Sequence, residues 1–176
     1  MLWKEELLTG SPDDKPINMP FMRHSDPYIR FEPHGSTPAD DRCCCRALTT
    51  AYLAHVLTGN PIHCSSCRGV VAPERIGFDV PTAESIARWN TVYGAVYELW
   101  LDCGKYEVWA ESELLRAESH VNESGLQARE QLSKYIPCRY LWFWQEKRPA
   151  QCPVCGLNLR ETEGTYLVCT ACAVYV

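Results

Sequence analysis

Apolar residues recur at three- and four-residue steps past Pro81: Ile86, Trp89, Tyr93, Val96, Tyr97 and Trp100. That spacing predicts a long amphipathic helix whose wide apolar stripe must bury against something. Thr82 is placed to cap it, Glu84 and Glu98 suit its polar face, and Gly104 is a candidate left-handed residue just past its end. A second helix is predicted over 106–116, with Val108, Trp109 and Leu115 available to pack. Asn122-Glu123-Ser124-Gly125 leads into a third, which carries Leu126, Arg129, Leu132 and Ile136 and is stopped by Pro137. Upstream, Asp40 and Asp41 mark another helix start, and Leu48, Ala51, Tyr52 and His55 share one side over 42–57 until Gly59-Asn60-Pro61 intervenes. From Arg139 to Gln145 the period changes to two. Tyr140, Trp142 and Trp144 point one way and Leu141 and Phe143 the other, as in a strand.

The flanks differ from this body. Residues 1–42 form a loop-rich arm broken by Pro12, Pro16, Pro20, Pro27, Pro33 and Pro38, with Tyr28–Glu32 as its one short candidate strand. A helical body is expected over 43–148, with Glu146-Lys147-Arg148-Pro149 as a charged linker out of it. In 149–176, Leu157–Arg160 and Tyr166–Val168 read as two strands joined around Glu161-Thr162-Glu163-Gly164, and the tail Ala173-Val174-Tyr175-Val176 offers a third. The expected class is α+β: a mainly helical body with a few short strands, then a small antiparallel β module.

That last module carries the strongest chemistry. Cys152-Pro153-Val154-Cys155-Gly156 is followed by Cys169-Thr170-Ala171-Cys172. A C-x-x-C turn brings two thiolates to one side of an ion, and two such turns complete the tetrahedron zinc prefers. Pro153 stiffens the first turn and Gly156 lets the chain leave it without a Cβ clash. The pattern predicts a zinc ribbon with Cys152, Cys155, Cys169 and Cys172 as ligands. A module this small has little core, so the metal would supply folding energy, roughly 10–16 kcal/mol in zinc-finger peptides. Four thiolates leave no open position, which makes the expected zinc structural.

Cys64-Ser65-Ser66-Cys67 is a third C-x-x-C and leaves alternatives open. It can be half of a second zinc site, completed by two of Cys43, Cys44, Cys45, Cys103 and Cys138 or by His55 or His63. It can also be a redox pair, or a knuckle of buried structural thiols. Cys43, Cys44 and Cys45 face different directions if helical, so at least one of them is expected in the core. Cys103 and Cys138 flank helix ends, where core packing is the simplest role.

The chain has 176 residues, with 46% hydrophobic and 22% charged positions, so it has room for a core beyond any metal site. No apolar run reaches the ~18 residues of a membrane helix, and Met1–Glu6 lacks the basic and apolar regions of a secretory signal. The 11 cysteines are thus expected as thiols and metal ligands in a reducing cytoplasm. None of the five histidines sits in a catalytic motif, and G-x-S-x-G, H-E-x-x-H and phosphate-loop patterns are absent, so no enzyme is expected. His55 is read as a core or capping residue.

Two partner classes remain. Tyr140, Trp142 and Trp144, with Lys147, Arg148 and Arg160, can form an aromatic and basic surface on which nucleic-acid bases stack. The net charge of −5 weighs against broad phosphate binding and favours a protein partner with a basic surface. An acidic bacterial immunity protein that blocks a basic toxin or enzyme site has that character. The order of features, from Cys64–Cys67 through the 86–100 helix and the 140–144 strand to the C-terminal cysteines, resembles a bacterial family of unknown function (numbered 2310). Its members are described as zinc-ribbon-containing and as candidate nucleic-acid binders. The resemblance covers about two-thirds of the chain, leaves out the proline-rich first 42 residues, and implies the four C-terminal cysteines as ligands.

Overall fold

The computed structural model describes residues 37–56, 59–161 and 165–176. The candidate strand at 28–32, most of the expected arm and part of the 161–164 turn lie outside them. Helix and sheet are mixed. The strands are β1 (Ala51–Leu53), β2 (Ile62–Cys64), β3 (Cys138–Leu141), β4 (Arg160–Glu161), β5 (Leu167–Cys169) and β6 (Val174–Tyr175). Between β2 and β3 come the helices α1 (Val80–Asp102), α2 (Glu107–Leu115) and α3 (His120–Leu132). The strands form one sheet in the order β2-β1-β3-β6-β5-β4. β1–β3 and β3–β6 pair in parallel, and the other three pairs are antiparallel. The C-terminal strands thus continue the body's sheet through β6.

The helix expected over 42–57 is absent. A 3₁₀ turn at Ala39–Asp41 precedes that stretch, which itself holds a cysteine segment outside any helix and then β1. Ala51, Tyr52, Leu53 and Ala54 are all buried, and β1 lies between β2 and β3. A short strand buried on both faces shows an apolar run without alternation, which a helical stripe mimics.

Alternation resumes in three dimensions. Ala51 and Leu53 join the core under the helices with Tyr140, Trp142 and Val174, whereas Tyr52 and Ala54 join Val168 and Tyr175 on the opposite face. The helix-side core is centred on Trp89, which meets Tyr93 and Tyr140 edge to face at 5.6 and 5.5 Å. Gly125 permits this closeness: a Cβ there would lie 2.5 Å from the Tyr140 ring and 2.6 Å from Trp89 Nε1.

Helix ends depart from expectation in instructive ways. Asp79, not Thr82, caps α1, accepting from the Thr82 N–H at 3.0 Å. Gly104 does not take a left-handed φ; the chain leaves α1 through Cys103 at φ −115° and ψ 59°. Ser119 caps α3 by accepting from Asn122 N–H, so α3 starts before the Asn122–Gly125 stretch expected to lead into it. Asn122 is buried. Its Nδ2 donates to the Leu114 and Arg116 carbonyls at the end of α2, and its Oδ1 accepts from Tyr140 Oη at 2.9 Å. One side chain thereby satisfies otherwise unpaired helix-end carbonyls and ties α2, α3 and β3 together. Val108, Trp109 and Leu115 of α2 do not pack: they are 79%, 52% and 39% exposed, while Ala110 and Leu114 supply the buried side.

Candidate metal centres

Two groups of four cysteines come together, Cys43, Cys45, Cys64 and Cys67 in one and Cys152, Cys155, Cys169 and Cys172 in the other. Within each group all Sγ atoms lie within 4.8 Å of one another. Measured pairs are Cys45–Cys64 at 3.9 Å and Cys155–Cys169 at 3.6 Å. A tetrahedron with Zn–S bonds near 2.3 Å has S···S edges of about 3.8 Å. Either group could hold a metal ion.

The same local turn builds one side of each centre. Cys64 N–H donates to the Gly69 carbonyl at 2.9 Å, and its own carbonyl accepts from Arg68 N–H at 2.8 Å. Cys152 repeats this with Leu157 and Gly156, both at 2.8 Å. The residue after each knuckle is left-handed: Arg68 at φ 62°, Gly156 at 71°, and Ala173, after Cys172, at 52°. For Arg68 and Ala173 that conformation costs about 1–2 kcal/mol, which the turn must hold.

This geometry aims backbone N–H groups at sulfur. Burial raises the Cys67 thiol, but the Gly69 N–H and the thiols of Cys43, Cys45 and Cys64 outweigh it and bring it down to about 6. The Leu157 N–H and the Cys172 thiol bring Cys155 down to about 7. Their neighbours move the other way. Hydrogen bonding to Cys67 and Cys64 pushes Cys45 up to about 12, and burial with the nearby thiols pushes Cys172 up. Four clustered thiols cannot all ionise alone, whereas a dication at their centre favours the thiolate form of each.

Cys43 and Cys45 enter from an extended segment, where alternate side chains share a side. Cys44 between them is exposed. Cys43 N–H donates to Val70 O at 2.8 Å, and the Arg75 guanidinium holds the carbonyls of Cys43 at 3.0 Å and Cys45 at 2.6 Å. Gly69 lets the two segments meet, since a Cβ there would lie 2.7 Å from Arg42 C and Cys43 N. Of the residues considered as completing a site with Cys64 and Cys67, the structure brings Cys43 and Cys45 to them. The signal for them in the sequence is the C-x-C spacing, which places both sulfurs on one side of extended backbone, whereas a helix over the same residues would part them.

The remaining candidates are placed elsewhere. Cys138 is buried in the core, where burial pushes it up to about 12, whereas Cys103 is exposed and not core as expected. His55 is half-buried, stacked on Tyr93 at 5.2 Å, with Nδ1 donating to Asn90 Oδ1 at 2.8 Å. His63 is buried against Tyr52, with Nδ1 bonded to the Arg68 carbonyl at 3.3 Å. Neither belongs to a cysteine group.

The expected aromatic surface needs correction. Tyr140 is fully buried and Trp142 is 2% exposed, because β1 and β6 set the register of β3 so that both face the helices. Arg139 and Leu141 face the other side. There Arg139 lies 4.9 Å over Tyr175 and donates to its Oη, and Arg68 lies 5.9 Å over Tyr166. Arg160 pairs in register with Val168 on this same face. Trp144 remains exposed, with Arg148 5.1 Å over its ring, and Lys147 is exposed. Thr165 gathers two of these cations, its Oγ1 accepting from Arg68 and its carbonyl from Arg148. No carboxylate among the described residues forms a salt bridge with Arg68, Arg139 or Arg148.

No helix among the described residues is long and apolar enough to cross a membrane. No protein-family model, curated protein or solved structure matches the chain.

Proposed function

We propose that this is a zinc protein and not an enzyme: two closed four-thiolate zinc sites brace an arginine–aromatic face that binds single-stranded nucleic acid. Cys43, Cys45, Cys64 and Cys67 would hold one ion. Cys152, Cys155, Cys169 and Cys172 would hold the other, within a zinc ribbon built on β4, β5 and β6. Soft sulfur ligands at tetrahedral spacing favour zinc among divalent ions. A zinc with four protein thiolates has no position left for water or substrate, so its contribution is structural.

The observation that carries the binding role is the set of cations stacked on aromatic rings. Arg139, Arg68 and Arg148 lie over Tyr175, Tyr166 and Trp144, with no carboxylate pairing among the described residues, on a chain of net charge −5. The exposed Trp144 and half-buried Tyr166 offer rings for base stacking, and the guanidinium groups over them and over the buried Tyr175 offer phosphate contact. Arg160 and Lys147 extend the same set.

Fluorescence anisotropy with labelled single-stranded DNA and RNA at about 50 and 200 mM salt tests it. Three phosphate contacts give a log–log salt slope of about −2. Arg68→Ala and Arg148→Ala should each make that slope shallower by roughly 0.7, and Trp144→Ala should weaken binding at both salt concentrations. Binding that is absent, independent of salt or indifferent to all three changes would sink the reading.

A further inference from the structure

Helix α2 is built the wrong way round for a solvent-facing helix. Its buried side consists of Ala110 and Leu114, both 0% exposed. At 3.6 residues per turn its outward side carries Val108, Ser112 and Leu115, with Trp109 on one flank and Glu107 and Glu111 on the other. Among the described residues Val108 is the most exposed large hydrophobic, at 79%, and Trp109 is half exposed. The α1–α2 corner adds Leu101 and Tyr106, and every residue from 101 to 109 is exposed. A helix apolar on both sides is ordinarily buried on both sides. The patch is on the order of a few hundred Å², comparable to the largest apolar patch on a typical monomer, which is often functional.

We infer that this outward face of α2 docks an amphipathic, basic helical segment of a partner protein. Charge selects the occupant. Asp102, Glu107 and Glu111 border the apolar positions. The two basic residues nearby are already engaged: Lys105 lies over the Tyr106 ring, and Arg116 pairs with Glu113. A second copy of this chain would set those carboxylates against themselves, and an anionic lipid surface would repel them. A helix with Leu-like residues on one side and Lys or Arg beside them meets both features at once, with Trp109 as the aromatic anchor such grooves favour. This surface is separate from the arginine–aromatic face and does not depend on it.

The test uses the full-length zinc-loaded protein and a fluorescein-labelled helical peptide of Leu and Lys in heptads, beside a counterpart with Glu for Lys. The Lys peptide should bind and the Glu peptide should not. Val108→Ser with Trp109→Ala should weaken binding by about tenfold or more. Glu107→Gln with Glu111→Gln should weaken it severalfold and reduce its salt sensitivity. Both double variants should keep the wild-type melting curve and zinc content, and Arg68→Ala with Arg148→Ala should leave peptide binding unchanged. Sedimentation velocity should show a monomer, and flotation with phosphatidylserine vesicles should recover none of the protein. Equal binding of the two peptides, no binding of either, or full binding by the Val108/Trp109 variant overturns the inference. So does a dimer, or vesicle binding, that the same variant abolishes.

Discussion

Gly69→Ala isolates how the first metal centre is assembled. Gly69 sits where the Arg42–Cys43 segment crosses the Cys64–Cys67 knuckle. An added Cβ would stand 2.7 Å from Arg42 C and Cys43 N and 2.8 Å from Cys43 Cα. All three are backbone atoms, so no rotamer change relieves the contact. Reaching an ordinary separation moves the segment by about 0.7 Å or more, beyond the ~0.2 Å tolerance of a metal–ligand distance. The same movement strains Cys43 N–H to Val70 O at 2.8 Å and Val70 N–H to Asp41 O at 2.7 Å. Overpacking costs about 1–3 kcal/mol, and weakening two backbone hydrogen bonds adds about 1 kcal/mol. Zinc affinity at this centre should fall by roughly 30- to 1000-fold. Gly156→Ala is the contrast: Gly156 is left-handed at φ 71° with nothing near its missing Cβ, so it costs only about 1–2 kcal/mol of backbone strain. Chelator competition monitored by a zinc-sensitive dye should show two tight ions in the wild type and in Gly156→Ala. Gly69→Ala should retain one tight and one weak ion. Two equally tight ions in Gly69→Ala would refute the claim that backbone crowding at Gly69 governs the site.

Cys44→Ser should leave zinc content unchanged while Cys43→Ser or Cys45→Ser loses one ion, as read by elemental analysis. Gly125→Ala drives a methyl into Tyr140 and Trp89, which are fully and almost fully buried. It should lower the urea midpoint by an amount equivalent to about 1–3 kcal/mol. Burial lowers the pKa of His55 below 6.5 despite its bond to Asn90. The unfolded chain therefore takes up that proton first as pH falls through 6.5, and the contribution to stability, complete above 6.5, is lost towards the lower folded pKa. The stability-against-pH curve of His55→Gln should lack that portion of the wild-type slope, and identical slopes would count against it.

Much of the fold was legible where a single segment decides its own structure. The α1 stripe of Ile86, Trp89, Tyr93 and Val96 is buried as its periodicity requires. The C-terminal cysteines gather as their spacing implies because each C-x-x-C turn is local. What depended on neighbours was not legible. β1 is three residues long, and its strand character comes from β2 and β3 on either side. In β3 the alternation was visible, but both faces of the strand carry large groups. Only pairing with β1 and β6 decides that Tyr140 and Trp142 go inward and Arg139 outward. The first metal group likewise joins segments separated by β1 and the loop after it, through Gly69 and the fork of Arg75, neither of which is a metal-site signal in sequence.

The two cysteine groups sit in the sheet where a bound metal would add most to a chain that already has a substantial core. The middle strands β1, β3 and β6 supply Leu53, Tyr140 and Val174 to the core beneath the helices. The outer strands have less to rely on: β4 has one paired neighbour and is two residues long, and beyond β1 the three-residue β2 has only the single His63–Val70 bridge. Strands so short make too few ladder bonds to offset their own ordering. Cys64 ends β2 and Cys169 ends β5, so a metal held by each group would tie one flank of the sheet to the loop beside it. The Arg68 and Thr165 contact then joins the two flanks across the open face. A metal bound at each flank would thus fix the placement of Arg68 and Tyr166, which flank β2 and β5 on either side of the strand order, relative to Arg139 on the central β3. On the proposed reading, bound ions and the arginine–aromatic face would act as one device, since a stacking surface is useful only if its rings and cations hold still.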